Sequence, residues 1–564
     1  MHTRFTQTAT QEVTMFDATM LQRGSDVRGE YPLQVNEELA FAVGRYLVRY
    51  VRSAEGGLDA VRILVGRDGR TSSFNLYAAL AQGIAAAGGV PVLSGLATTD
   101  MIQWGVGERI DGVVAGAMIT ASHNPPEYNG IKMFRAAGDQ LEPIRPKAHL
   151  WDVYQQDTAE GVAAETSRVP FSRGARLGLQ DRFVRAACQR APSLSKASGK
   201  VVFDPGNGVA GVFLQPLKAY LAEVGASVEI EAIAARIDGT FPSRPANPGL
   251  PGAMRALEQK VRELGASFGA AFDGDADRVF IADETGHAVS GSHMLAALAA
   301  RALELHRARG QRAGDRPRIV FAATASWLVV DAIRAHGGQP VICRVGQDTA
   351  KFALQATGAI FGGEASAHYN FPDTFCLDSG LFALMMFWEA LLESGQSCSQ
   401  WLSRFHPWPN SGEINLRIET DRWKDISAAI IATLRDRYSA TEENCHVMTL
   451  DGVSVYHPRS DGWQAAAGEG DSTGIAAVFR PDPERDPAGE RFRYVQDGYD
   501  PQWWFNVRAS NNEPLLRVNF ETRNADELLP RCRSLLDAIG GICREQGVSY
   551  RIQDYGNFEP AALR

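Results

Sequence analysis

Three stretches of the chain share one alternation of apolar and polar positions. "VRILVGRDGR" from Val61, "GKVVFDPGNG" from Gly199 and "RIVFAATAS" from Arg318 each begin as a β-branched apolar run. Each then passes through a loop of small residues into an amphipathic helix that ends at glycine, and on to a second short strand. Repetition at more than a hundred residues predicts related α/β domains, not a short-period solenoid. The last third patterns differently. "SGEINLRIET", "TLDGVSVYH", "TGIAAVFR", "WWFNVRAS" and "PLLRVNFET" alternate as strands, with helices expected at "DISAAIIATLRDRYS" and "ADELLPRCRSLLDAIGGICREQG". That mix predicts a smaller α+β domain. Inside it, "RPDPERDPAGERFRYVQDGYDPQ" is dense in Pro, Gly and charge and reads as a surface loop or insertion near 481–500.

A length of 564 residues accommodates three or four domains at roughly 150 residues each. The expected boundaries are 1–174, 175–286, 287–407 and 408–564. A net charge of −9 argues against nucleic acid or an anionic membrane as a general partner, so any bound anion must meet local Arg and Lys clusters. Seven scattered cysteines without a CxxC pair indicate neither zinc nor a disulfide framework. The N-terminal residues carry no apolar signal-peptide core, and the helical stretch "MLAALAARALEL" is too short to span a bilayer. These features point to a cytoplasmic chain; separately, a monomer or homodimer with small-molecule partners is expected.

Four segments carry candidate chemistry. In "AAFDGDADRVFIAD", Asp273, Asp275 and Asp277 alternate with small residues between two apolar strands. Three carboxylates this close repel unless a cation sits among them, and an oxygen-only ligand set favours Mg²⁺ over zinc. Glu284 falls at the twelfth position of a would-be EF-hand loop, but Arg278 stands at the sixth, where the turn demands glycine. "TASHNPPEYNGIK" holds Ser122 on a stiff loop made irregular by two prolines. No Gly-x-Ser-x-Gly elbow surrounds Ser122, and the neighbouring His123 is expected to point away from it. Lys132 can return toward the same place as an acid/base group or a charge partner. "GGEASAHYNF" pairs Glu364 with Ser366, a couple able to read adjacent sugar hydroxyls, and carries His368 close by. "RASNNEPLLR" offers Arg508, Ser510, Asn511, Asn512 and Arg517, a donor-rich loop suited to phosphate.

Together with "GSDVRG", "VGRDGRTSS", "DPGNGVAG" and "DGTFPSRPANP", these segments stand in an order that resembles the α-D-phosphohexomutase family, which includes phosphomannomutases and phosphoglucomutases. The resemblance implies four domains around a central cleft: three related α/β domains with mixed sheets and a C-terminal α+β domain, each lending one loop. It implies that Ser122 is carried as phosphoserine and that Mg²⁺ is held by Asp273, Asp275, Asp277 and the Ser122 phosphate. Arg278 then resembles a contact to the transferring phosphoryl group. Lys132 and His123 resemble acid/base and positioning groups, and Arg28 resembles the arginine facing the phosphoserine. Glu364, Ser366, His368 and Arg344 would contact the sugar. Arg508, Ser510, Asn511, Asn512 and Arg517 would hold the phosphate not undergoing chemistry.

The implied activity interconverts hexose 6-phosphate and hexose 1-phosphate through a bound hexose 1,6-bisphosphate, with the last domain closing over the cleft to exclude water. Departures fall at Ser25, where tyrosine is frequent, at Gln347 for histidine, Arg344 for lysine and Asn512 for threonine. They bear on substrate preference. The "GEASAHYNF" loop resembles the mannose version, with a phosphoglucomutase or dual-specificity enzyme as the alternative. A non-catalytic sugar-phosphate-binding relative and a phosphatase are the rival classes.

Overall fold

The computed structural model describes residues 27–54, 56, 60–145, 150, 178–310, 315–440, 443–460, 478–482, 484–486, 488–510 and 513–563. Four sheets follow one another along the chain. The first contains β1 (Val27–Glu30), β2 (Arg62–Arg67), β3 (Val90–Leu96), β4 (Ala115–Ile119), β5 (Tyr128–Ala137) and β6 (Gln140–Pro143), ordered β1-β5-β4-β2-β3 with β6 beside β5. The second contains β7 (Ser198–Asp204), β8 (Ser227–Ala232), β9 (Phe268–Phe272) and β10 (Val279–Asp283), ordered β10-β9-β7-β8. The third is built on β11 (Arg318–Ala322), β12 (Gln339–Cys343), β13 (Phe361–Gly363), β14 (Tyr369–Phe371) and β15 (Leu377–Asp378).

The three repeated patterns fold alike. β2–β3, β7–β8 and β11–β12 are parallel pairs, each joined by the expected amphipathic helix. Strands buried on both faces read as unbroken apolar runs, and β4, β9 and the inner part of β2 are of that kind. Each sheet also takes an antiparallel neighbour, β5 on β4 and β10 on β9, so the sheets are mixed.

The fourth sheet contains β16 (Asn410–Ile418), β17 (His446–Met448), β18 (Val453–His457), β21 (Trp503–Ala509), β22 (Leu515–Thr522) and β23 (Tyr550–Tyr555), all antiparallel, with helices Trp423–Ser439 and Ala525–Glu545 against it. One expectation fails here. Of the two readings of the Pro- and charge-rich segment near 481–500, a surface loop or an insertion, the plain surface loop is the one that fails. β19 (Phe479–Arg480) and β20 (Phe492–Val495) leave the fourth sheet and extend the third, β20 running antiparallel to β12. Phe479, Phe492 and Val495 are buried, and their burial outweighs the turn-forming composition around them.

One large apolar cluster spans the first three domains and reaches into the fourth. At its centre the Phe183 ring meets Trp104 edge-on at 5.7 Å and stacks on Phe382 at 5.4 Å. All seven cysteines are free and buried, and no helix among the described residues is long and apolar enough to cross a membrane.

The third and fourth domains also meet at Glu521. Its Oε2 accepts from Ser326 Oγ (3.1 Å), Trp327 N–H (3.0 Å) and Trp504 Nε1–H (2.8 Å). Burial pushes its carboxyl up to about 7 against those three donors, and the Asp331 charge adds to the rise. A carboxyl raised in the folded state stabilises while protonated, and that contribution is lost as pH rises from about 4.5 to about 7. Comparing denaturant unfolding of the wild type with Glu521→Gln across this window should show the wild type losing on the order of 3 kcal/mol more. Parallel pH profiles would contradict it.

Candidate functional site

The serine loop leaves the buried end of β4 and is shaped by one arginine. Arg70, fully buried, donates through Nη2 to Ser122 O (2.8 Å) and Asn124 O (2.7 Å), and through Nη1 to Pro125 O (2.6 Å) and Tyr128 O (3.1 Å). Its Nε pairs with Asp68 at 3.1 Å, and the Phe241 ring of the second domain lies 5.1 Å from its guanidinium carbon. Ser122, Asn124 and Pro125 lie outside any strand, so the guanidinium fork supplies donors that a ladder would otherwise provide.

Ser122 takes a left-handed backbone, φ 51°. That turn overturns the expectation that adjacent side chains diverge, because His123 Nδ1 lies 3.2 Å from Ser122 Oγ. Ser122 Oγ also reaches Asp273 Oδ2 at 3.4 Å. The second domain presses close: a Cβ built on Gly274 would stand 2.4 Å from Ser122 O.

Asp273, Asp275 and Asp277 sit between β9 and β10, buried, each offering an oxygen within 4.8 Å of the others. Lys132 Nζ bridges Asp275 Oδ2 (2.8 Å) and Asp277 Oδ2 (2.9 Å), while Arg278 Nε holds Asp273 Oδ2 at 2.8 Å. The helix Thr99–Gly107 starts against the same loop, Thr99 N–H donating to Asp275 O at 3.1 Å and its hydroxyl to Asp275 Oδ2. The Oδ1 atoms of Asp275 and Asp277 are buried without hydrogen-bond partners. Orphaned carboxylate oxygens in an all-oxygen cluster fit a hard divalent cation such as Mg²⁺.

Burial pushes Asp273 up to about 7 in spite of Arg278. Burial acts the same way on Asp275, yet the Lys132 ammonium and the Thr99 hydroxyl hold it at about 2. Lys132 is itself held well above its ordinary range by the two aspartates, which overcome the effect of its burial. His123 keeps an exposed edge, yet the protein crowded around its ring, with Arg278, Arg28, His368 and Lys132 nearby, holds it below its ordinary value.

The third domain joins this network through His368, which forms an antiparallel bridge with Arg278. Its Nδ1 stands 3.2 Å from Asp378 Oδ2 and 3.8 Å from Asp277 Oδ1, and Lys351 Nζ is 3.4 Å from Asp378 Oδ1. Ser366 Oγ donates to Glu364 Oε2 at 2.9 Å, while Glu364 Oε1 accepts from Gly346 N–H at 3.1 Å. Gln347 Oε1 accepts from Asn370 Nδ2 at 3.3 Å, and Arg344 is exposed.

In the fourth domain Arg508 and Arg517 face each other across β21 and β22. They share Glu413, which lies 3.9 Å from Arg508 and 3.2 Å from Arg517. Two arginines in one cross-strand position repel unless an anion lies between them, so the pair retains capacity for a phosphate. Ser510 N–H bonds Leu515 O at 2.8 Å, and Glu513 in the same turn adds its charge to those raising Tyr128 on the serine loop. Asn511, Asn512 and Ser25 lie outside the described residues. Arg28 donates to Asn124 Oδ1 at 3.1 Å, beside the serine loop.

Thus Ser122, His123, Lys132, Arg278, the three aspartates and His368 form one continuous network. The Arg508–Arg517 pair, matched by Glu413 and Glu513, forms a separate cluster. Sequence reasoning missed Arg70, Thr99, Lys351 and Asp378. Arg70 alone had an accessible signal, the Asp68-Gly69-Arg70 turn inside "VGRDGRTSS".

Comparison with known proteins gives matches along most of the chain. Models described as phosphoglucomutase/phosphomannomutase alpha/beta/alpha domains I, II and III match residues 19–159, 181–286 and 290–407, and the C-terminal domain model matches 484–537. A phosphomannomutase of Salmonella typhimurium is 30% identical over 514 residues, covering 91% of this chain and 97% of the relative. The phosphohexose mutases of Xanthomonas campestris pv. campestris are 30% identical over 509 residues, covering 89% and 95%. A crystal structure of a phosphoglucomutase/phosphomannomutase family protein from Burkholderia thailandensis superposes with a TM-score of 0.69 at 22% identity, over 95% of this chain and all of that one, which supports the fold.

Proposed function

Because this chain belongs to the phosphoglucomutase/phosphomannomutase family and is a hexose phosphate mutase, we propose that it interconverts mannose 6-phosphate and mannose 1-phosphate through phospho-Ser122. The observation that carries this reading is the setting of Ser122 Oγ, 3.4 Å from Asp273 and 3.2 Å from His123 on a loop clamped by Arg70. A serine so placed can carry a phosphoryl group at one fixed point, facing both the aspartate cluster and the sugar.

In the forward step the P–O bond to Ser122 breaks and a P–O bond to the free sugar hydroxyl forms. One proton passes from that hydroxyl to Ser122 Oγ by way of His123. Arg278, whose buried Nη2 has no partner, faces the transferring phosphoryl group and stabilises its charge. Lys132, engaged by two carboxylates, acts as a charge partner. A Mg²⁺ ion held by Asp273, Asp275 and Asp277 with the Ser122 phosphate would neutralise charge on the phosphoryl oxygens. Glu364, Ser366 and His368 contact the sugar, with Arg344 at the rim. Arg28 faces the phosphoserine, and Arg508, Ser510, Asn511, Asn512 and Arg517 hold the other phosphate. The bisphosphate then turns end for end, and its second phosphate returns to Ser122.

Peptide mapping of the isolated protein should place a phosphate on Ser122. Steady-state assays should show higher kcat/KM for mannose 1-phosphate than for glucose 1-phosphate, with activity lost in EDTA and restored by Mg²⁺. Equal constants would indicate dual specificity and overturn the mannose preference. Release of inorganic phosphate without isomerisation would overturn the mutase reading in favour of a phosphatase, and binding without turnover would favour a non-catalytic relative.

A further inference from the structure

β18 ends at His457 and its antiparallel neighbour β21 begins at Trp503, with these two residues opposite each other. Adjacent strands of this kind need only a short turn, yet the chain between them travels to another domain. There β20 lies along β12, with Val341 opposite Tyr494, Ile342 opposite Arg493 and Cys343 opposite Phe492. Side chains reinforce the join. Arg334 donates to the carbonyls of Tyr499 (2.7 Å) and Gln496 (2.5 Å), and Gln339 donates to Val495 O (2.7 Å). The guanidinium of Arg491 sits 4.2 Å from the centre of the Phe352 ring, and Trp327 meets Phe479 and Tyr499 edge-on.

β12 runs directly into the Arg344–Gln347 loop beside the sugar-reading residues. Three consecutive backbone donors of that loop are taken. Arg344 N–H bonds Arg491 O (3.0 Å), Val345 N–H bonds Asp451 Oδ2 (3.0 Å), and Gly346 N–H bonds Glu364 Oε1 (3.1 Å). The first two acceptors belong to the fourth-domain part of the chain. Asp451 sits at the turn between β17 and β18, and its own carbonyl is held by Asn506 Nδ2 at 2.8 Å. Asn506 is fully buried and its Nδ2 also donates to Ser454 Oγ at 2.9 Å, so the turn has little freedom. Protection of a sheet edge would account for β20 alone. It does not account for a carboxylate reaching across to the Val345 amide.

We propose that Asp451 is a positioning residue for sugar recognition and that the described excursion 478–502 clasps the fourth domain to the third, keeping the Arg344–Gln347 loop in shape throughout turnover. The inference deepens the mutase reading and rests on it.

The test pairs kinetics with a readout that needs no substrate. Asp451→Ala removes the acceptor, whereas Asp451→Asn keeps an oxygen for the Val345 amide. The alanine variant is expected to raise KM for mannose 1-phosphate about tenfold with kcat within about twofold, and asparagine should restore most of the difference. In the ligand-free protein, hydrogen exchange over 341–350 should quicken in the alanine variant and not in the asparagine variant.

A disulfide from Val341→Cys with Tyr494→Cys would staple the clasp, since antiparallel partners have Cα separations of about 4.5–5.5 Å, within disulfide reach. Turnover of the oxidised staple should stay within about twofold of the reduced protein. Unchanged KM and exchange in the alanine variant would overturn the positioning role, as would a fall in kcat at constant KM. A large loss in the staple that dithiothreitol reverses would show that the join opens in each cycle and would overturn the clasp. A wild type that isomerised no hexose phosphate would sink the mutase reading alone, because the exchange measurement would still decide the clasp.

Discussion

Replacing Ser122 with alanine is expected to lower mutase turnover by at least about 10³-fold while leaving the fold in place. The loss is large because no neighbouring hydroxyl can replace it: Thr120, two residues back, is fully buried and occupied in accepting the Ser122 N–H at 2.9 Å. The structural cost is small because the Ser122 hydroxyl makes only contacts of 3.2 and 3.4 Å, so removing it should cost under about 1 kcal/mol. Alanine tolerates the φ of 51° about as poorly as serine does, so backbone strain does not separate the two proteins. Turnover of mannose 1-phosphate, thermal melting and peptide mapping measured together give the result. Retained turnover above a few per cent, or phosphate on another residue of the alanine variant, would remove Ser122 from the reaction.

Arg70→Met carries the second large expectation, and here fold and activity fall together. The substitution takes the charged partner from the buried Asp68 carboxylate and removes the guanidinium from the carbonyls of Ser122, Asn124, Pro125 and Tyr128. Breaking one partner out of a buried charged network costs about 3–5 kcal/mol. A serine loop displaced by about 1 Å would cost on the order of 10² in turnover besides. Arg70→Lys should recover little of either, because an ammonium is a point donor and cannot span four carbonyls in one plane. Denaturant unfolding and turnover of both variants check this. A lysine variant as stable and active as the wild type would show that charge alone, not the fork, shapes the loop.

Arg70 also marks the limit of what the sequence makes legible. Ser122 and the three aspartates stand in contiguous runs whose chemistry is local: like charges two residues apart, or a hydroxyl on a proline-stiffened turn. The parallel pairs were legible because apolar runs punctuated by glycine are local too. Arg70, Thr99, Lys351 and Asp378 act through partners dozens to hundreds of residues away, as in the Thr99 contact with Asp275. Apart from the Asp68-Gly69-Arg70 turn, nothing near them in sequence distinguishes them from ordinary surface polar residues. The misreading of 481–500 has the same origin. Pro, Gly and charge describe turns correctly, and the hairpin does turn through them, but the strand partner that makes Phe492–Val495 a strand lies in β12. His123 was misplaced for a different reason, since a single left-handed residue reverses the usual divergence of neighbouring side chains.

Gly274 has a bearing on inheritance. A single methyl group there would meet the Ser122 carbonyl at 2.4 Å, so the serine loop and the aspartate loop touch backbone to backbone. Neither side can absorb a change in the other by repacking, because no side chain lies between them. The two loops, though Ser122 and Gly274 are 152 positions apart, must therefore be passed on together. An insertion, deletion or recombination breakpoint that shifts one against the other would break the contact even if every catalytic residue survived.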